Sequence, residues 1–83
     1  MRPEDVLPDA LNHVTIDGQL LRKGTVAAFL ANARIWLDAD ADTAKHDQAE
    51  ADIVAILPAL RALGLFDVLD VRDATLRTWL ASQ

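Results

Sequence analysis

The sequence offers few side chains that could attack a substrate. It contains no cysteine and no tyrosine, and its one serine is Ser82. Nucleophilic catalysis needs an activated hydroxyl, thiol, amine or carboxylate beside a base. The two imidazoles, His13 and His46, lie far apart in the sequence, and we expect each to be structural or exposed to solvent. These residues predict a non-enzymatic protein that needs no cofactor.

Alternating aspartates at Asp38, Asp40 and Asp42 have the spacing of the first ligands in an EF-hand calcium loop. The rest of that pattern is missing, because the sixth position would be Thr43 instead of glycine and the twelfth would be Ala49 instead of glutamate. A solvated acidic loop is therefore the favoured interpretation, and a degenerate calcium-binding loop ranks third among the possible functions.

A second group with metal-binding side chains is formed by His46, Asp47 and Glu50. Glu50 follows His46 by four residues, so a helix would bring these two side chains together on one face. Because zinc sites usually need a larger protein ligand set, we interpret the pair as an ordinary surface contact, with metal binding as the less favoured alternative.

Two cations and a hydroxyl, at Arg22, Lys23 and Thr25, precede an apolar helical run. The free N–H groups and the positive dipole end of a helix attract anions. The order of residues does not match a phosphate-binding P-loop, and we expect the Thr25 hydroxyl to cap the helix. A small anion or a nucleotide ligand bound here is the alternative function.

The element that follows is the run from Val26 to Leu37, in which only Asn32 and Arg34 are strongly polar. A helix with apolar side chains on nearly all sides must be covered by several neighbours. The run would be about 18 Å long as a helix, too short for a hydrocarbon core of about 30 Å. We predict a central core helix with surplus apolar surface at Ile35 and Trp36, which is covered either by the same chain or by another copy, and these two residues are the candidate interface.

Short signals place the other elements. Asp17 and Gly18 separate two β-prone runs and favour a tight hairpin turn. A second helix is predicted to start near Ala44, to end at Gly64, and to be kinked or split by Pro58. Its predicted apolar stripe consists of Ala49, Ile53, Ile56, Leu57, Leu60 and Leu63.

The remaining segments give weaker or shorter signals. Apolar residues from Val6 to Leu11 suit a short N-terminal helix. The segment from Leu65 to Val71 fits neither the helical nor the strand period and could form a turn, a 3₁₀ segment or a third short strand, of which we favour irregular or 3₁₀ structure. Asp73 is a good cap for a last helix. The predicted core-facing residues of that helix are Leu76, Trp79 and Leu80.

Composition limits the possible partners. The chain has 83 residues and a formal charge of −5, so we expect one domain, residues 1–83, that repels the phosphates of nucleic acid. The first ten residues carry acids and two prolines, which do not resemble a secretory signal. The lack of cysteine favours a reducing cytosol. We therefore predict a cytoplasmic protein without nucleic-acid or membrane partners.

The pattern V-T-I-D-G-Q-L-L-R-K-G-T-V-A-A-F-L-A-N-A, followed later by A-L-G-L-F-D, resembles small bacterial proteins of unknown function. This resemblance implies a compact stand-alone α+β domain of a bacterial cytosol. The fold we predict is α+β, with a short antiparallel β-hairpin packed on three to four helices. The favoured function is a protein-interaction or accessory module that associates with a protein partner or with a second copy of itself.

Overall fold

The computed structural model describes residues 2, 5, 13–16 and 18–83. Strands β1 (His13–Ile16) and β2 (Gln19–Arg22) form the predicted antiparallel hairpin, in which Val14 lies opposite Leu21. Gly18 has a φ of 77°, a left-handed conformation that glycine adopts without strain. Asp17 and the helix predicted from Val6 to Leu11 lie outside the described residues.

Helix α1 (Thr25–Leu37) begins two residues after the hairpin. Its N-cap is Gly24, with a φ of 82° and no side-chain cap. The predicted cap by Thr25 is therefore wrong. Thr25 is already the first helical residue, and its hydroxyl donates a 2.7 Å hydrogen bond back to the carbonyl of Arg22.

Helix α2 (Thr43–Leu63) starts and ends where the sequence signals place it. The Asp42 side chain accepts a 2.8 Å hydrogen bond from the Lys45 N–H, and Gly64 ends the helix with a φ of 85°. Pro58 does not split the helix. Pro58 has no N–H to donate to the carbonyl of Val54. Because Pro58 and Val54 are both exposed, water can donate to this carbonyl instead.

The segment after Gly64 is more regular than its sequence pattern indicates. Leu65–Val68 forms a single α-helical turn, α3, where we expected irregular or 3₁₀ structure, whereas residues 69–71 are irregular as predicted. The chain then runs without regular structure to helix α4 (Ala74–Ala81). Asp73 caps α4 as predicted, because its carboxylate accepts a 2.8 Å hydrogen bond from the Leu76 N–H.

The core is centred on α2. The prediction that α1 is the central helix is therefore wrong. Helix α2 packs against both strands, α1 and α3, and four of its stripe residues are buried: Ala49, Ile53, Leu57 and Leu60. Helix α1 contributes Phe29 and Ala33, and α4 contributes Leu76 and Leu80. Because α1 has neighbours on only part of its circumference, some of its large apolar side chains stay exposed.

A hairpin packed on a small helical assembly is the α+β fold that the sequence predicts. Arg61 of α2 adds a polar connection to the last helix, donating hydrogen bonds to the carbonyls of Leu80 (3.3 Å) and Gln83 (2.9 Å). These carbonyls lie at the C-terminal end of α4, where backbone acceptors lack partners within the helix. Within the described residues, none of the helices has the length and apolar character needed to cross a membrane.

The central position of α2 predicts that neighbouring residues of this helix differ sharply in their contribution to the free energy of unfolding. Ile53 is fully buried (0% exposed), whereas Val54 is 44% exposed. We expect Ile53→Ala to lower the free energy of unfolding by about 2–5 kcal/mol, because it leaves a cavity in the core. The matched variant Val54→Ala should stay within about 0.5 kcal/mol of the wild type. Urea unfolding followed by circular dichroism measures both, and equal effects would contradict this description of the core.

Candidate functional site

Three aromatic rings from three helices form a row on one side of the molecule. Trp36 of α1 lies between Trp79 of α4, with ring centroids 5.6 Å apart, and His46 of α2, with centroids 5.3 Å apart. The rings are tilted by 32° and 34°. Each of the three side chains is half-buried. This aromatic row connects α1, α2 and α4.

Glu50 lies beside the aromatic row and holds Trp36 in place. The indole N–H of Trp36 donates a 3.0 Å hydrogen bond to Glu50 Oε1. The same oxygen is 3.8 Å from His46 Nδ1, which confirms the predicted contact between residues four apart on α2. Asp47 completes the group, since ligand atoms of His46, Asp47 and Glu50 all lie within 4.8 Å of one another. The sequence spacing indicated this group, but not the contribution of Trp36.

The aspartates proposed as a calcium loop take structural roles between α1 and α2. Asp38 Oδ1 accepts a 2.9 Å hydrogen bond from the Asp40 N–H, which shapes the turn, and Asp42 caps α2. Across residues 18–83 their carboxylates do not form a group close enough to hold one ion. The aspartates therefore order the chain between two helices.

The residues proposed to bind an anion lie at the junction of β2 and α1. Arg22 and Lys23 are exposed, whereas Thr25 is buried (8% exposed). The Thr25 hydroxyl donates to the Arg22 carbonyl, as described above, so its proton is directed at the backbone. These three residues therefore form a short connection between β2 and α1.

The predicted interface residues Ile35 and Trp36 line different depressions. Trp36 belongs to the aromatic row, and its polar atom already has a partner in Glu50. Ile35 lies in a depression of about 420 Å³ that Trp36 does not line and that includes charged residues, among them Asp38 and Asp52. The structure therefore does not unite these two residues in one apolar patch.

A different apolar surface lies between α1 and the segment that leads from α3 into α4. We call it the apolar groove. It has a volume of about 380 Å³, and Phe29 and Phe66 meet edge to face at its base, with centroids 5.8 Å apart. Its other apolar walls include Leu30, Ala33, Leu37, Leu69 and Leu76.

Large apolar side chains on both sides of the apolar groove are open to solvent. Leu30 is 51% exposed and Leu37 is 47% exposed, both on α1, and Leu69 on the opposite side is 58% exposed. The sequence already places Leu30 and Leu37 on one helical face, since they are two turns apart. The opposite wall could not be found from the sequence, because it depends on how residues 65–73 fold back over α1.

The described structure thus belongs to the general class of small α+β domains, with an aromatic row on one surface and an apolar groove on another. Comparisons with protein-family models, with curated proteins and with solved structures gave no match. The function must therefore be argued from these surfaces.

The hydrogen bond between Trp36 and Glu50 should contribute measurably to stability. A double-mutant cycle with Trp36→Phe and Glu50→Ala is expected to give a coupling energy of about 1–2 kcal/mol, because the acceptor is charged and partly shielded. The control is the exposed pair Gln48 and Asp52 on α2, in which Gln48 Nε2 donates a 2.9 Å hydrogen bond to Asp52 Oδ1. This pair should have a coupling energy of less than about 0.5 kcal/mol. Urea unfolding of the variants gives both energies. A Trp36–Glu50 coupling no larger than the control would show that this bond is not a stable contact.

Proposed function

We propose that the protein is a non-enzymatic interaction module that associates with a second copy of itself through the apolar groove. The observation that carries this proposal is the exposure of Leu30, Leu37 and Leu69 on facing walls of one groove. Contiguous apolar surface rimmed by polar groups is typical of interaction sites. This replaces Ile35 and Trp36 as the centre of the proposed interface.

Burial of these leucines supplies the driving force. Each Å² of apolar surface removed from water is worth about 25 cal/mol, and three half-exposed leucines lie close enough to be covered together. In a two-fold symmetric dimer the same patch is used twice, so every apolar contact of one copy is repeated in the other. The apolar area that one groove buries is therefore matched by an equal area buried on the second copy.

Charge supports a second copy over a basic or acidic partner. The whole chain carries a formal charge of −5, which would push two copies apart if they met through an average part of the surface. The groove is different, because its charged rim has two arginines and two aspartates: Arg34, Arg72, Asp70 and Asp73. Their formal charges cancel, so two copies can meet here while the acidic surface stays in water.

The proposed setting is a bacterial cytoplasm. The bacterial source is what the resemblance to small bacterial proteins implies, and the lack of cysteine supports a reducing compartment. Association in that setting stabilises the folded chain as well, because a partner that binds only the folded state shifts the folding equilibrium by mass action.

Light scattering after size-exclusion chromatography tests the proposal. At micromolar concentration the wild type is expected to have twice the 9.1 kDa mass of one chain. Leu30→Glu and Leu37→Glu should each give a monomer, because a buried charge at the interface is costly. Both sites are exposed in the single chain, so circular dichroism should show that the variants remain folded.

The control is Val54→Glu, which puts the same charge on an exposed apolar position of α2 outside the groove. It should elute as the wild type does. A wild type that stays monomeric over the micromolar range, or a Val54→Glu variant that dissociates as readily as the groove variants, would reject self-association through the apolar groove.

A further inference from the structure

We propose that His46, Asp47 and Glu50 bind one transition-metal dication of the class Zn²⁺, Ni²⁺ or Cu²⁺. This site is on α2 beside the aromatic row, and it does not depend on the apolar groove. It revises the sequence interpretation, in which the His46–Glu50 pair was an ordinary surface contact and metal binding was the less favoured alternative.

The spacing of the ligand atoms comes close to what an ion requires. One nitrogen and two carboxylate oxygens lie within 4.8 Å of one another, whereas ligands around a zinc ion with bonds of about 2.0–2.2 Å lie roughly 3–4 Å apart. All three side chains belong to one turn of a rigid helix. His46 Nδ1 and Glu50 Oε1 already lie 3.8 Å apart, so the remaining adjustment falls on Asp47, whose side chain is exposed.

Trp36 provides the second observation, because it orders two of the three ligands before any ion binds. Its indole N–H donates to Glu50 Oε1, the oxygen that also lies 3.8 Å from His46 Nδ1, and this bond orients the carboxylate. Its ring lies against that of His46, with centroids 5.3 Å apart, which restricts rotation of the imidazole. Metal sites in proteins commonly use outer hydrogen bonds of this kind to orient their ligands.

The chemistry of the group selects the class of ion. Imidazole nitrogen combined with carboxylate oxygen suits Zn²⁺, Ni²⁺ and Cu²⁺, whereas Mg²⁺ and Ca²⁺ prefer oxygen ligands alone. The two carboxylates balance the charge of a dication when His46 is neutral. Because Asp47 is exposed to solvent, water can complete the coordination shell.

The test is a titration of the full chain with NiCl₂ or CuCl₂, followed by tryptophan fluorescence. An open-shell ion at this site would lie close to Trp36, and Trp79 is only 5.6 Å from Trp36. We expect saturable quenching at one ion per chain, and an excess of Zn²⁺ should reverse the quenching by Ni²⁺, whereas Ca²⁺ and Mg²⁺ at the same concentration should not. His46→Gln and Glu50→Gln should each weaken binding by about tenfold or more.

Two matched variants make the test specific. His13→Gln removes the other imidazole, on β1, and Asp52→Asn removes an exposed carboxylate from the same helix, and both should bind as the wild type does. Circular dichroism of each variant checks the fold, and calorimetry with Zn²⁺ gives the stoichiometry independently of fluorescence. Binding that is absent, that survives His46→Gln, or that depends equally on His13 would overturn the proposal.

Discussion

The burial of one stripe on α2 is the constraint on which the other elements depend. Ile53 and Leu60 are completely covered, and the hairpin, α1 and α3 all pack against this helix. A chain of 83 residues can build only a small core, since much of its surface stays in contact with water. The elements that pack against α2 therefore have few neighbours of their own, and part of their apolar surface stays in contact with water.

This geometry explains why α1 combines buried and exposed apolar residues. Phe29 and Ala33 are buried in the core although they also line the apolar groove, whereas Leu30 and Leu37 are exposed on a wall of this groove that no described segment covers. The end of α1 is fixed differently, through the contacts of Trp36 with Glu50, His46 and Trp79. One helix thus contributes to both surfaces on which the functional proposals rest, and the two surfaces use separate residues.

Local chemistry allowed much of the fold to be predicted from the sequence. The turn at Gly18, the cap at Asp73 and the stop at Gly64 each depend on the conformation or hydrogen bonds of adjacent residues, and such signals are readable along the chain. The central helix was assigned wrongly because apolar content does not reveal which neighbours cover a helix. The turn at Leu65–Val68 and the contact of Trp36 with Glu50 depend on tertiary packing, so their sequence signals were weak or missing.

The way in which α4 is attached determines what local unfolding of this helix would change. With eight residues, α4 is shorter than the roughly 12–15 residues at which isolated helices become marginally stable in water, so it is helical because it is docked. Asp73 secures its start and Arg61 its end. If this unit detaches in a local unfolding event, Trp36 loses its contact with Trp79 and the groove loses Leu76. Fluctuations of one short helix would then expose the aromatic row and dismantle one groove wall at the same moment.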